Sequence, residues 1–199
     1  DFYIRELFCI DFYNYILFYF PKSEFENLNE INVNWSQNEE HFQKWCEGKT
    51  GVPLIDAAMR YFNLTGTMHN RLRMIVSSYL TKNLLIDWKK GERYFASKLL
   101  DYEASSNIGS WQWAASTGAD AVPYFRIFNP YLQSAKFDKD AIFIKSVIPE
   151  LKDVNSKLIH SENGVQSNIF LNYPPQLVSI EFSRKRAIEE FKRANNEKY

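Results

Sequence analysis

Apolar residues recur along this chain at helical rather than alternating spacing, and polar breaks divide it into successive helices. The first run, residues 2–20, is apolar and aromatic, interrupted by Asp11 and Asn14, and reads as a buried helix too short to span a membrane. A loop from Pro21 to residue 34 leads to a short polar helix or turn between Trp35 and Trp45. Gly48, Gly51 and Pro53 then punctuate the chain. Leu54, Ala58 and Tyr61 predict a helix over 53–62, opening on a proline where a missing N–H costs least.

Residues 67–80 carry the clearest amphipathic pattern. Met68, Leu72, Ile75, Val76 and Tyr79 form one core-facing stripe. Asn70, Arg73, Met74 and Ser77 form a second stripe beside it. Polar groups flanking an apolar face need acceptors, which another helix's carboxylate or a bound ligand would supply. Further helices are predicted over 87–100, 111–119, 139–148 and 179–196, with residues 101–110 as a polar turn region. No strand alternation and no internal repeat is found, so the expected fold is all-α and irregular.

The chain has 199 residues, 45% hydrophobic, enough for one domain with a real core. Aromatics reach 17%, and most serve as core rings, but five tryptophans are few enough to weigh singly. Net charge is zero yet uneven: residues 1–50 are acidic and residues 51–100 basic. The basic stretch fits either a solvated helix face or a local anion site for phosphate or nucleic acid. Two cysteines, Cys9 and Cys46, make neither a disulfide framework nor a metal cluster. His41, His69 and His160 show neither metal-ligand spacing nor a nucleophile–base arrangement. No signal peptide is visible, so a soluble cytoplasmic (nucleoid-associated) or nuclear protein is expected. The chain opens at Asp1 in helical pattern without Met, as a piece of a longer protein would.

Three features rise above packing: TMHNRLRM (67–74), DYEASSN (101–107), and the pair Trp111 and Trp113, whose spacing puts them on different helix faces. Each also reads as ion pairing or core. No P-loop or GxGxxG is present, so any redox or photochemistry must be carried by a cofactor.

At these residues the chain resembles the photolyase/cryptochrome family, specifically class I cyclobutane pyrimidine dimer photolyases. The runs that carry the resemblance are WCEGKTGVPLIDAAMR (45–60), TGTMHNRLRM (65–74), LLIDWKKGERYF (84–95), NIGSWQWAASTGADAVPYFRIFNP (107–130) and FIKSVIPEL (143–151). The tail YPPQLV (173–178), followed by a basic helix, belongs to the same series.

The resemblance implies that residues 1–199 are most of a C-terminal helical FAD-binding domain. The α/β antenna domain, with its folate or deazaflavin chromophore, would lie outside the chain, as would the flavin domain's opening phosphate loop. It further implies light-driven repair of DNA by electron transfer from reduced FAD to a flipped-out dimer, in a monomer. Flipping costs a few kcal/mol, less for damaged DNA. Asn107 matches the Asn beside flavin N5, and Arg73 and Asp101 an ion pair at the ring edge. Glu103 stands where most members have Asp on the flavin or ribose side, and Asn70 between adenine and substrate. Glu6, Met74 and Trp113 match contacts to the dimer, and Arg71 a contact to DNA phosphate, suited to Arg's forked donors. Trp111, Trp88 and Trp35 match a tryptophan relay that photoreduces the flavin.

Three positions depart from the family. Cys9 replaces a tryptophan that stacks on the dimer, an aromatic platform worth about 1–3 kcal/mol. Ile10 replaces an arginine that contacts cofactor phosphate, and Thr67 a common Trp. A blue-light photosensor without repair activity, or a fragment that holds no FAD, are the competing readings. Asn107 speaks for repair, since plant sensors usually carry Asp there. Met68-His69, where the (6-4) enzymes have His-His, speaks against that substrate.

Overall fold

The computed structural model describes residues 2–168 and 170–196. Its helices are α1 Phe2–Tyr19, α2 Glu39–Cys46, α3 Pro53–Thr65, α4 Asn70–Ser78, α5 Trp88–Lys98, α6 Ala104–Ala115, α7 Pro130–Phe137, α8 Ile142–Val147, α9 Ser156–Ile159 and α10 Ile180–Asn196. No strand occurs among the described residues, and the architecture is all-α and irregular, as expected. α6 is central: α1, α4 and α5 all pack on it.

Helix starts follow local chemistry. α3 begins on Pro53 and ends at Gly66, whose φ of 67° lets its N–H return to Phe62 O. Side chains of Asn38, His69, Asp87, Glu103 and Asn129 accept backbone N–H groups at the starts of α2, α4, α5, α6 and α7. Each satisfies a donor that the first turn would leave unpaired. After Ser78 the ladder widens, with Leu84 N–H reaching back five residues to Tyr79 O.

Four expectations need correction. The amphipathic helix starts at Asn70 rather than Thr67, because His69 takes the capping position. Residues 104–110 are not a turn but the first half of α6, which Glu103 initiates. α7 falls in a stretch given no element, although Asn129-Pro130 is a helix-start signal. Finally, α1 is not buried. Its Phe8, Phe12, Tyr15, Phe18 and Tyr19 are exposed, and only a seam including Tyr13, Ile16 and Leu17 is sheltered. The helix is apolar on every side and has a described neighbour on one.

The main core joins Trp45, Phe62, Tyr79, Trp88, Phe95 and Trp111 with aliphatic residues of α3–α8. Two buried ionisable groups tie distant segments to it. Asp56 accepts from Thr50 N (2.7 Å), Thr50 Oγ1 (2.6 Å), Gly51 N (3.0 Å) and Tyr173 Oη (2.6 Å). Burial raises its carboxyl pKa against those bonds. Lys82 donates to Ala115 O (3.1 Å) and Ser116 Oγ (2.7 Å) at the α6 C-terminus and lies 3.4 Å over the Phe191 ring. Desolvation drives its pKa well below the usual lysine range.

Candidate functional site

Four of the groups singled out in the sequence, Arg73, Asp101, Glu103 and Asn107, lie on or beside the N-terminal half of α6. Arg73 projects from α4 and uses Nη2 to bridge both Asp101 oxygens, at 3.0 and 2.8 Å, while its Nε donates to Met68 O at 2.8 Å. A carboxylate therefore answers the question posed by an arginine beside an apolar stripe. Asn70, in the first turn of α4, is exposed. Glu103 caps α6 by accepting Ser105 N (2.9 Å) and Ser106 N (2.8 Å). Desolvation pushes its pKa upward, but the bonds from Ser106 and Ser105 outweigh it and leave the carboxyl below its ordinary range.

Asn107 is buried one turn further along α6. Its Nδ2 donates to Glu92 on α5, to Oε1 at 3.0 Å and to the backbone O at 3.4 Å. This fixes which end of the amide faces which way. Asn107 Oδ1 takes no hydrogen bond from any described residue. Burial raises the Glu92 pKa, with the Asn107 bond opposing it. Glu92 is the participant that sequence reasoning missed. It stands inside GERYF, one turn beyond Trp88, but nothing in the chain signals that it meets Asn107.

The tryptophans separate by depth. Trp88 is 0% exposed and Trp111 3%, whereas Trp35 is half-buried. Trp111 lies against Gly91, where a Cβ would come 2.2 Å from its Cη2, so side chains of α5 and α6 leave no gap there. Trp111 meets Phe95 edge-on at 5.2 Å and Trp45 at 6.1 Å, and Trp35 meets Phe191 at 6.0 Å. Among the described residues, no ring contact joins any two of Trp111, Trp88 and Trp35. The Trp88 indole N–H donates to Asn27 Oδ1 at 2.8 Å.

Glu6, Met74 and Trp113 are half-buried, and Cys9 and Ile10 are exposed on α1. Among the described residues, no hydrogen bond or ion pair links Glu6 to the α4 or α6 groups. Arg71 is exposed and lays its guanidinium 4.0 Å over the Phe137 ring, leaving its forked donors without a carboxylate among the described residues. Among the described residues no group of three or more His, Cys, Asp or Glu is placed to hold a metal ion. Nor is any helix long and apolar enough to cross a membrane.

Comparisons with known proteins place the chain in a family. The family model described as the FAD binding domain of DNA photolyase matches residues 3–193. The deoxyribodipyrimidine photo-lyase of Escherichia coli is 45% identical over 201 residues, covering 98% of this chain and 42% of that protein. Among solved structures, a class III photolyase from Agrobacterium tumefaciens superposes with a TM-score of 0.89 at 39% identity, over 98% of this chain and 42% of that one. A Synechocystis cryptochrome superposes with a TM-score of 0.86 at 34% identity, over 95% and 41%. The chain thus spans about two fifths of the relatives it matches. With a family model running over nearly its whole length and a helical fold shared with those structures, the chain belongs to the photolyase FAD-binding domain family.

Proposed function

We propose that this chain is the C-terminal flavin-binding domain of a class I cyclobutane pyrimidine dimer photolyase, a carbon–carbon lyase acting on damaged DNA. Asn107 carries the reading. Glu92 holds its Nδ2, so an unused amide oxygen remains to accept an N–H from a ring beside α6. That acceptor fits FAD, whose reduced flavin presents such an N–H. The Arg73–Asp101 pair would border the same ring, Asn70 would face the adenine side, and Glu103 would set the α6 start while contacting flavin or ribose. When bound and reduced, FAD supplies the light-excited electron that splits the dimer.

The chain's own residues do the rest. Trp111, Trp88 and Trp35 relay electrons from the half-exposed surface inward. Met74 and Trp113 line the lesion side, Glu6 hydrogen-bonds the dimer, and the free fork of Arg71 takes a DNA phosphate. An antenna chromophore, folate or deazaflavin, belongs to the family's other domain. The protein acts as a monomer on nucleoid or nuclear DNA.

FAD-loaded protein under blue light is expected to restore thymines in a thymine-dimer oligonucleotide, and Asn107→Leu to abolish this. A fully reduced protein that leaves the dimer intact overturns the repair reading. The exposed Cys9, standing in place of an aromatic platform, favours a second reading as a flavin photosensor. Photoreduction without repair would establish it.

A further inference from the structure

The middle tryptophan has one hydrogen-bonding partner, and that partner is unusually well held. Trp88 is fully buried, and its indole N–H donates to Asn27 Oδ1 at 2.8 Å. Asn27 lies in the loop before α2. Its Nδ2 donates to Ile31 O at 2.9 Å, which fixes the oxygen, not the nitrogen, toward the indole. The loop is anchored to α6 by Gln112, whose Oε1 accepts Leu28 N (2.9 Å) and whose Nε2 donates to Ser23 O (2.7 Å) and Glu26 O (3.1 Å). Gln112 sits between Trp111 and Trp113, so one helix both carries the inner tryptophan and holds the partner of the middle one. Asp87, the carboxylate adjacent to Trp88 in sequence, is engaged by Lys89 through its backbone N (3.1 Å) and Nζ (3.8 Å) instead.

We propose that Asn27 is a positioning residue of the relay: its carboxamide oxygen stabilises an electron-deficient Trp88 through the indole N–H without taking the proton, so that the hole stays mobile. This rests on the relay reading under the proposed function. The terminal electron acceptor is the light-excited oxidised flavin. Trp88 gives one electron to oxidised Trp111 and becomes a radical cation. Trp35 then gives one electron to Trp88, which returns to neutral indole with its N–H intact. The positive charge ends on half-exposed Trp35.

The chemistry of the acceptor decides the outcome. Losing an electron makes an indole N–H strongly acidic, and full burial denies it bulk water. An amide oxygen is too weak a base to take the proton, yet its dipole favours the positive charge. A carboxylate in the same place would accept the proton and trap a neutral radical at Trp88, with its negative charge pinning the hole further.

The test uses FAD-loaded protein and time-resolved absorption, which separates the tryptophan radical cation from the neutral radical. In a Trp35→Phe background, where the hole stops at Trp88, native Asn27 is expected to give the cation. Asn27→Asp should convert it to the neutral radical and, with Trp35 intact, lose most of the accumulated flavin reduction. Asn27→Leu should keep the cation but shorten its lifetime. A cation signal left unchanged by Asn27→Asp in the Trp35→Phe background overturns the proposal, as does a neutral radical in the Asn27→Leu protein. No tryptophan radical at all in the unaltered protein overturns the relay itself, a distinguishable failure. A readout free of flavin completes the test: the Trp88 indole N–H resonance should exchange slowly, and faster in Asn27→Leu. Fast exchange in the unaltered protein overturns the hydrogen bond.

Discussion

α6 meets two neighbouring helices at glycines, and the two contacts differ in what surrounds them. On the α5 side a Cβ at Gly91 would come 2.2 Å from Trp111 Cη2; on the α1 side a Cβ at Gly109 would come 2.1 Å from Tyr13 Cδ1. The overlaps are alike in depth. Trp111, however, is walled in by Phe95 and Trp45, and Leu80 crowds the same point, 2.6 Å from where a Gly91 Cβ would stand. Tyr13 is half-buried on a helix whose other faces are exposed. A ring enclosed at core density cannot yield, whereas one at an open edge can swing outward. The proposed relay side of α6 is thus built rigidly, and the proposed lesion side lies on a helix free to adjust.

The largest expected effect is on the walled side. Trp111→Ala should cost about 3–5 kcal/mol through the cavity it leaves, read by denaturant unfolding, and should abolish photoreduction in the loaded protein. A loss under about 1 kcal/mol would show that the ring is not enclosed. Next come the paired glycines. Gly91→Ala should cost about 1–3 kcal/mol by overpacking, and Gly109→Ala clearly less. Equal costs would erase the contrast between the two contacts.

Glu103→Ala removes the α6 cap and should cost about 1 kcal/mol. Because its folded-state pKa is lowered, the carboxylate's contribution is present above the unfolded value and is lost as pH falls through the folded one. Wild-type stability should therefore drop below about pH 4.3 in a way that the Ala variant does not share. Smallest of all, Phe18→Ser on α1 should change stability by about 0.5 kcal/mol or less, since Phe18 is 78% exposed. A large loss there would mean that α1 is covered in solution.

Much of the fold was legible. Periodicity located the helices around residues 53–62 and 87–100, and Pro53 marked where the first of them starts, although it runs on to Thr65 before Gly66 stops it. The misreadings have local causes. Residues 104–110 look polar because Ser105, Ser106 and Asn107 prefer caps and turns by propensity, yet the cap at Glu103 and packing on α1 and α5 carry them into a helix. Within the candidate site, the need of Arg73 for an acceptor was legible from its place beside an apolar stripe, and Asp101 supplies it.

The sequence by itself determined an all-α chain, the place of its most periodic helices and the family to which its motifs point, because spacing and short motifs are local properties. Tertiary structure alone decided that α1 stays uncovered, that Glu92 turns the Asn107 amide, and that Asn27 meets Trp88 across 61 residues. Periodicity reports which face of a helix could be buried, not what comes to cover it. A hydrogen bond between distant segments depends on how whole helices pack, and that leaves no mark on either segment alone.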